Sequence, residues 1–529
     1  MISFDVLTLK AFTGEQKFNI EGARINKIQQ PTRREFIFTL RNNGKSEQLY
    51  VNIHPEFYHI CFMNDDTYNK RILSIPKKPP MFCMLLRKYL ENSKIISVNL
   101  PDNERILEFN IETSNSIGES ISLCLAMEFM GKHSNVILYE KGNKNIIGCA
   151  HNVGSDKSRE REVYGGIPYI YPPSKVKSDI QNCDGEICYE NLYNDFYMFS
   201  KYFAGLCKDK PLEKIKSYVR VENISPAISR DYSAYCLYSE LLGKDVIRTD
   251  SVNSMIDLYY SHHIYEHKFK ELQNRYKTIV QHDLNRLTRS QNSMKASLLK
   301  YKDSEKFRLF GDLLMANMYN LSDYSPEVTV YDYENDRNIT VPLDETKTIK
   351  DNANRFYKLY NKSKTAKQKL SEFIEKGNQQ RSYIAQLLYS IDSAQTPDDL
   401  YEIAPEVTSE QTPAQKSHTQ IPFIELDDGT RIYIGKNNKQ NDYIISKLAS
   451  DDDIWFHVHN NAGSHVLLKT QNLTDELIMR CARLAKDNSS VKDSSKIGVI
   501  YTKRKYLRKP PAANLGYVTY KNEKEIILD

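Results

Sequence analysis

The sequence predicts an α+β protein built from several domains, and three observations carry that prediction. The chain has 529 residues, too many for one hydrophobic core. Two long, polar helical stretches with a narrow apolar seam stand either side of a short segment of different character. Short strand-like runs precede them, and a mixed strand and helix pattern follows.

Residues 1–173 read as mainly β. Phe36-Ile-Phe-Thr-Leu40, Leu107-Glu-Phe-Asn-Ile111 and Val136-Ile-Leu-Tyr139 are strand-like. Pro79-Pro-Met-Phe-Cys-Met-Leu-Leu-Arg-Lys-Tyr-Leu90 opens with prolines and continues with helix formers, so it reads as a helix. Tyr171-Pro-Pro173 closes the segment. Residues 174–252 read as a helical, helix-hairpin-helix-like module. Its hairpin would be Glu222–Arg230, with Ser225-Pro226 starting the next helix and backbone N–H groups turned to phosphate. An ordinary helix start explains the same residues.

Residues 253–405 read as an antiparallel coiled coil. Tyr265, Phe269, Leu272, Tyr276 and Ile279 alternate spacings of four and three. After a one-residue slip, Val280, Leu284, Leu287, Met294, Leu298 and Tyr301 resume the seam, and the first arm runs to about 310. A core helix would show a wider apolar face. A small tip is expected at 311–349, with strands at Glu327–Tyr331 and Ile339–Leu343. Asn352 opens a return arm to about Ile403. Residues 406–420 lack periodicity and read as a linker. Residues 421–529 read as a compact α/β domain, with strands at Phe423–Leu426, Arg431–Ile434, Gly498–Tyr501 and Gly516–Tyr520 and a helix at Glu476–Lys486.

Composition narrows the function. Lys and Arg number 73 against 68 Asp and Glu, a net charge of +5, so a nucleic-acid partner requires basic residues gathered in patches. The nine cysteines are scattered, as at Cys83 and Cys124 in apolar surroundings. Reduced thiols and a cytoplasmic setting follow. Cys183 and Cys188 have no second ligand pair for zinc. The start, Met1-Ile-Ser-Phe-Asp-Val-Leu-Thr-Leu, has no signal-peptide pattern, and no apolar run is long enough for a membrane. No Gly-x4-Gly-Lys-Ser/Thr loop is present, which argues against nucleotide hydrolysis. No catalytic residue, metal or cofactor is assigned.

The most informative stretch is Asp451-Asp-Asp-Ile-Trp-Phe-His-Val-His-Asn-Asn-Ala-Gly-Ser-His-Val-Leu-Leu468, which holds the only tryptophan. In a strand His457 and His459 would share a face, and the Gly463-Ser464 turn would return His465 to it. No cysteine or carboxylate completes a metal set at an obvious spacing. Trp455, His457 and His465 therefore read as an RNA-stacking group or as packing. Lys503-Arg-Lys-Tyr-Leu-Arg-Lys509 places Lys503, Arg504, Lys505, Arg508 and Lys509 in seven residues. Pro510-Pro511 would hold this run extended and accessible to an RNA backbone. A solvated charge run is the plainer alternative.

Several short motifs occur in one order: Ser3-Phe-Asp5, Gly22-Ala-Arg-Ile-Asn-Lys27, Pro80-Met-Phe-Cys-Met-Leu-Leu-Arg87, Met130-Gly-Lys-His-Ser-Asn135, Asn441-Asp-Tyr443, the Trp455 stretch, and Lys509-Pro-Pro-Ala-Ala-Asn-Leu-Gly-Tyr-Val-Thr-Tyr520. Together they resemble the NFACT family of ribosome quality-control factors, long labelled fibronectin-binding protein A-like, over essentially the whole chain. The resemblance implies a β-rich N-terminal domain like that of formamidopyrimidine-DNA glycosylases and a C-terminal RNA-binding domain. The family's N-terminal domain carries an Asp-Arg pair needed to hold tRNA, and the matching positions are Glu104 and Arg105. In a strand these would point to opposite faces. Asp5 also matches a position required for the tRNA role, although it suits a helix cap. Lys132 stands where the family usually has Arg, and Ala462 where it usually has Pro. Arg24, His133 and Asn135 complete the implied tRNA-binding set.

The implied function is that of a non-catalytic adaptor. It would bind obstructed large ribosomal subunits carrying peptidyl-tRNA and recruit tRNA-Ala for template-free C-terminal alanine tailing of the stalled chain. The ribosome would catalyse peptide transfer, and a small RNA-binding protein would be a further partner. A glycosylase is disfavoured, because the chain begins Met1-Ile2-Ser3 rather than with proline and glutamate and has no four-cysteine finger. A fibronectin-binding surface adhesin, or a DNA-binding relative of the glycosylases, is the alternative. Before its first arm, Thr249–Asp257 passes almost directly into the helix where relatives often carry a strand-rich excursion.

Overall fold

A computed structural model describes residues 2–71, 75–101, 104–114, 118–183, 188–408, 421–511 and 513–529. The chain divides into two compact units, Met1–Lys268 and Phe269–Asp529.

The first unit is organised by one antiparallel sheet. Helix α1 (Val6–Ile20) leads into β1 (Arg24–Thr32), β2 (Glu35–Asn42), β3 (Lys45–Asn52) and β4 (His59–Met63). Helices α2 (Asp65–Arg71) and α3 (Met81–Leu90) follow. Strands β5 (Lys94–Asn99), β6 (Ile106–Ser114), β7 (Ser120–Glu128), β8 (Asn135–Glu140) and β9 (Ile146–Cys149) complete the sheet. The strand order is β4-β3-β2-β1-β5-β6-β7-β8-β9. The seam between its halves is short, with β1 and β5 paired at Arg24 and Lys94. Fully buried strands such as β4, His59-Ile-Cys-Phe-Met63, read as continuous rather than alternating runs because both faces are covered. Pro80 precedes α3 as its cap, and the helix buries Cys83, Leu86 and Leu90.

The segment after this sheet corrects the expectation of a helical hairpin module. Short helices α4 (Leu192–Asp195), α5 (Lys201–Leu206) and α6 (Leu212–Arg220) are present. Ser225-Pro226 does not start a helix. It leads into β10 (Ala227–Ser229), the centre of a three-stranded sheet with β11 (Tyr235–Cys236) and β12 (Val246–Arg248). Val221 ends α6 in the left-handed conformation, at φ 63°, and Asn223 follows at φ 49°. The chain therefore reverses without a second helix, and Ala227 and Ile228 are fully buried as strand residues.

Helix α7 (Val252–Leu299) begins in the core of the first unit, where Met255, Ile256, Tyr259 and Tyr260 are fully buried. In the second unit it runs antiparallel to α9 (Ile349–Ser393). Gln273 Nε2 donates to the Ile391 carbonyl at 2.8 Å, while further along Gln291 Nε2 donates to Ile374 at 3.3 Å. Phe269, Leu272, Tyr276, Val280, Leu284 and Leu287 pack against Ile384, Leu387 and Ile391. The first arm stops at Leu299, short of 310, and α8 (Ser304–Ala316) is a separate helix. Its Phe310 and Leu314 share a small core with β13 (Glu327–Asp332), β14 (Arg337–Pro342) and Phe356 of α9. The return arm also ends early. Pro397 at the first turn and a Thr396–Asp399 capping box start a new helix, α10 (Pro397–Val407). Most of the expected linker, residues 409–420, lies outside the described residues.

The C-terminal part contains β15 (Phe423–Glu425), β16 (Arg431–Ile434), α11 (Asn438–Tyr443), β17 (Ile454–Val458), β18 (Val466–Lys469), α12 (Asp475–Asp487), β19 (Ile497–Lys503), β20 (Leu507–Arg508), β21 (Thr519–Tyr520) and β22 (Lys524–Leu528). Six of these strands form a sheet ordered β15-β16-β18-β17-β19-β22. Helix α12 covers one face through Ile478, Cys481, Ala482 and Ala485. Among the described residues no helix is long and apolar enough to cross a membrane.

Candidate nucleic-acid interface

A cleft of about 1230 Å³ opens at the β8–β9 end of the first unit's sheet. It gathers Arg33 and Arg34, Arg105, Lys132 and His133, and His151, Lys157 and Arg161. Cations brought this close repel one another unless a polyanion or acid neutralises them. Among the described residues the lining carries two carboxylates, Glu128 and Glu160. Glu128 is already used. It is buried and takes two hydrogen bonds from Arg161, at 2.7 and 3.0 Å, and one from Tyr169 Oη at 2.9 Å. Among the described residues Arg33, Arg34, Arg105 and Lys132 have no ion pair in the structure. The cleft is therefore a positive surface suited to phosphate.

Each wall has a local cause. Arg105 does not lie in a strand, since β6 starts at Ile106. Glu104 and Arg105 occupy the bend before it, so strand alternation does not set their directions. Arg105 donates to Tyr58 Oη at 3.2 Å and lies over that ring, 5.9 Å from its centroid. Lys132 and His133 are exposed on a single 3-10 turn, Gly131–His133. Gly131 has φ 63°, which favours glycine there. Ser134 Oγ accepts from Met130 N–H at 2.8 Å and locks the turn.

Asn135 lines the cleft but is buried, and its side chain is committed to the backbone. Its Nδ2 donates to the His151 carbonyl at 2.9 Å and its Oδ1 accepts from His151 N–H at 3.0 Å. Asp5 is likewise committed, as the N-cap of α1. Its Oδ1 accepts from Thr8 N–H at 2.9 Å and Thr8 Oγ1 at 2.7 Å. Asp5, Arg24 and Glu104 do not line the cleft. Arg24 is exposed elsewhere and donates to the Asn92 carbonyl at 3.1 Å. Arg33, Arg34, His151, Lys157 and Arg161 were not singled out by sequence. The available signal was two arginines at a tight turn and the charged run Asp156–Glu162.

The C-terminal expectations need larger corrections. Trp455 is 1% exposed and packs with Ile444, Ile445, Leu467, Ile500 and Leu507, so it cannot stack on RNA. His465 is buried with it, its ring set edge-on 5.2 Å from the indole. His457 is half-buried and stacks on Trp455 at 5.7 Å. Burial pushes the His457 imidazole down to about 4 and holds His465 well below its usual value, so both are neutral at pH 7. His459 leaves this group because β17 ends at Val458. Its Nδ1 lies 2.8 Å from Glu525.

The basic run is not extended. A 3-10 turn at Arg504–Tyr506 interrupts it. Lys503 and Lys505 both reach Asp452 at 3.0 Å, Lys509 pairs with Asp442, and Arg504 Nε donates to the Ile445 carbonyl at 2.8 Å. Arg508 is exposed and has no ion pair among the described residues. Most of this run is paired within its own domain, whereas in the N-terminal cleft only Arg161 of the arginines and lysines has an ion pair among the described residues.

Comparison with known proteins shows the family of the chain. The model for NFACT N-terminal and middle domains matches residues 5–209 and 210–421, and that for the NFACT protein RNA binding domain matches 421–522. The chain is similar to Rqc2 homolog RqcH of Bacillus subtilis, 29% identical over 100% of this chain and 98% of that protein. Rqc2 homolog RqcH of Streptococcus suis is 29% identical over 99% and 98%. The N-terminal structure of the fibronectin/fibrinogen-binding protein from Streptococcus suis aligns with a TM-score of 0.44 at 29% identity. It covers 49% of this chain and 100% of that one.

Proposed function

Because this chain belongs to the NFACT family and carries its RNA-binding domain, we propose that it is an RNA-binding adaptor of ribosome-associated quality control. It binds large ribosomal subunits obstructed by peptidyl-tRNA and brings in tRNA, with tRNA-Ala as the recruited species. Stalled chains are thereby extended with C-terminal alanine without a template. The peptidyl-transferase centre of the ribosome performs the chemistry, and the chain is not itself an enzyme. It acts in the cytoplasm beside a small RNA-binding partner protein. Its N-terminal domain resembles the glycosylase N-domain in layout, without the proline and glutamate that carry that chemistry.

One observation carries this reading: the cleft in which Arg105, Lys132, Arg33 and Arg34 converge without acidic partners among the described residues. Arg105 supplies a planar donor fork for phosphate or a base edge, and Lys132 a point charge. The test is to purify the tagged chain from its own cells at moderate salt and sequence the bound RNA, beside an Arg105→Ala variant. The expected result is large-subunit rRNA plus one enriched tRNA, with the tRNA lost in the variant. Ribosomal RNA without tRNA would refute tailing, and no ribosomal RNA would refute the whole reading.

A further inference from the structure

We propose that the second wall of the cleft, formed by Arg33, Arg34, His151 and Lys157, is a phosphate-binding subsite separate from the wall that carries Arg105 and Lys132. Its RNA role rests on the function proposed above.

The first argument is the turn between β1 and β2. Thr32 pairs with Glu35, so Arg33-Arg34 is the entire loop. Two-residue hairpin loops favour Asn and Gly, because their usual turn types need positive φ. Arg33 and Arg34 are neither, and neither has positive φ. The register instead shifts between Gln29 and Thr32. Sequences that break a local rule tend to do so at functional sites. Here the break delivers two guanidinium groups to one rim of the cleft.

The second argument is the imidazole. His151 is held by its backbone, because Asn135 hydrogen-bonds both its N–H and its carbonyl. Asn135 is therefore a positioning residue. The ring's Nε2 is buried and has no hydrogen-bond partner among the described residues, which marks it for a water or a ligand group. Burial, then Arg34, Arg33 and Lys157, hold this imidazole below its usual value. Among the described residues Lys157 Nζ reaches only the Asn152 carbonyl, at 3.5 Å. With Glu128 spent on Arg161, Glu160 is the remaining carboxylate of the lining. Three cations, Arg33, Arg34 and Lys157, thus face a gap that a phosphate fills, with the half-buried His151 ring beside them. That phosphate belongs to an RNA backbone or is free in solution.

The full-length chain tests this in three forms: wild type, Arg33→Gln/Arg34→Gln and His151→Gln, each checked by thermal melting. tRNA affinity is measured across a salt series, and the His151 ring resonance is followed by NMR on adding tRNA or inorganic phosphate. The double variant is expected to lower the slope of log affinity against log salt by about 1 to 2, the loss of one or two phosphate contacts. The ring resonance should move on adding tRNA in the wild type and stay still in the double variant. Movement with millimolar inorganic phosphate as well would identify a free-anion site; movement with tRNA alone would identify an RNA backbone site. An unchanged slope with an unmoved ring overturns the subsite. A wild type that binds no tRNA but responds to inorganic phosphate overturns the RNA function and keeps the subsite.

Discussion

Side chains of one type take opposite roles according to burial. Trp455, His457 and His465 look like a recognition group in sequence, because aromatic and imidazole side chains suit unpaired bases. Two of the three are instead interior residues, packed ring on ring. The consequence is electrostatic. An exposed imidazole titrates at 6.5, whereas burial puts His457 at about 4. Between those values the unfolded chain binds the proton and the folded chain does not. Stability from this group is therefore fully present above about pH 6.5 and is lost as pH falls toward 4. Denaturant unfolding, followed by the single tryptophan's fluorescence, should show this loss. His457→Gln should flatten it in part, because His465 shifts the same way. Stability that is level from pH 7 to 4.5 in the wild type would contradict the desolvation of these two imidazoles.

Among elements, the periodic ones were the most legible. The seam from Phe269 to Leu287 appears in the structure as the packing line between α7 and α9. Where it ends was not legible, because capping rather than periodicity decides it. The break after Leu299 and the Thr396–Asp399 capping box both shorten the arms. One contact beyond periodicity ties α9 to the loop after β17. Gln386 Nε2 donates to the Gly463 carbonyl at 2.8 Å, and its Oε1 accepts from Gly463 N–H at 2.7 Å. A side-chain amide here substitutes for a strand partner, and Gly463 has no room for a Cβ, which would lie 2.9 Å from Ser489 and Val458. Gln386→Ala leaves the Gly463 N–H without this partner, while the carbonyl keeps Asn441 Nδ2 at 3.4 Å, and should cost about 1–3 kcal/mol. Denaturant unfolding checks it, and a loss under about 0.5 kcal/mol would show that the loop is held by other contacts.

At the level of the whole molecule, a net charge of +5 hides an uneven distribution. Lys503 and Lys505 share one carboxylate, while Arg33, Arg34 and Lys132 converge with no ion pair among the described residues. Lys503→Gln/Lys505→Gln should therefore change the salt slope of tRNA binding less than Arg33→Gln/Arg34→Gln does. The reverse order would move the main tRNA contact to the C-terminal domain. By itself the sequence determined the α+β class, the two long helices, the family and Arg105 with Lys132 as candidate contacts. These follow from local periodicity and from motifs that keep their order along the chain. Only the tertiary structure decided that Asn135 supports His151, that Trp455 is core, and that Arg33 and His151 share one cleft. Arg33 and His151 stand more than a hundred positions apart, Asn135 and His151 lie on separate segments, and no local pattern encodes which side chains a folded sheet brings together.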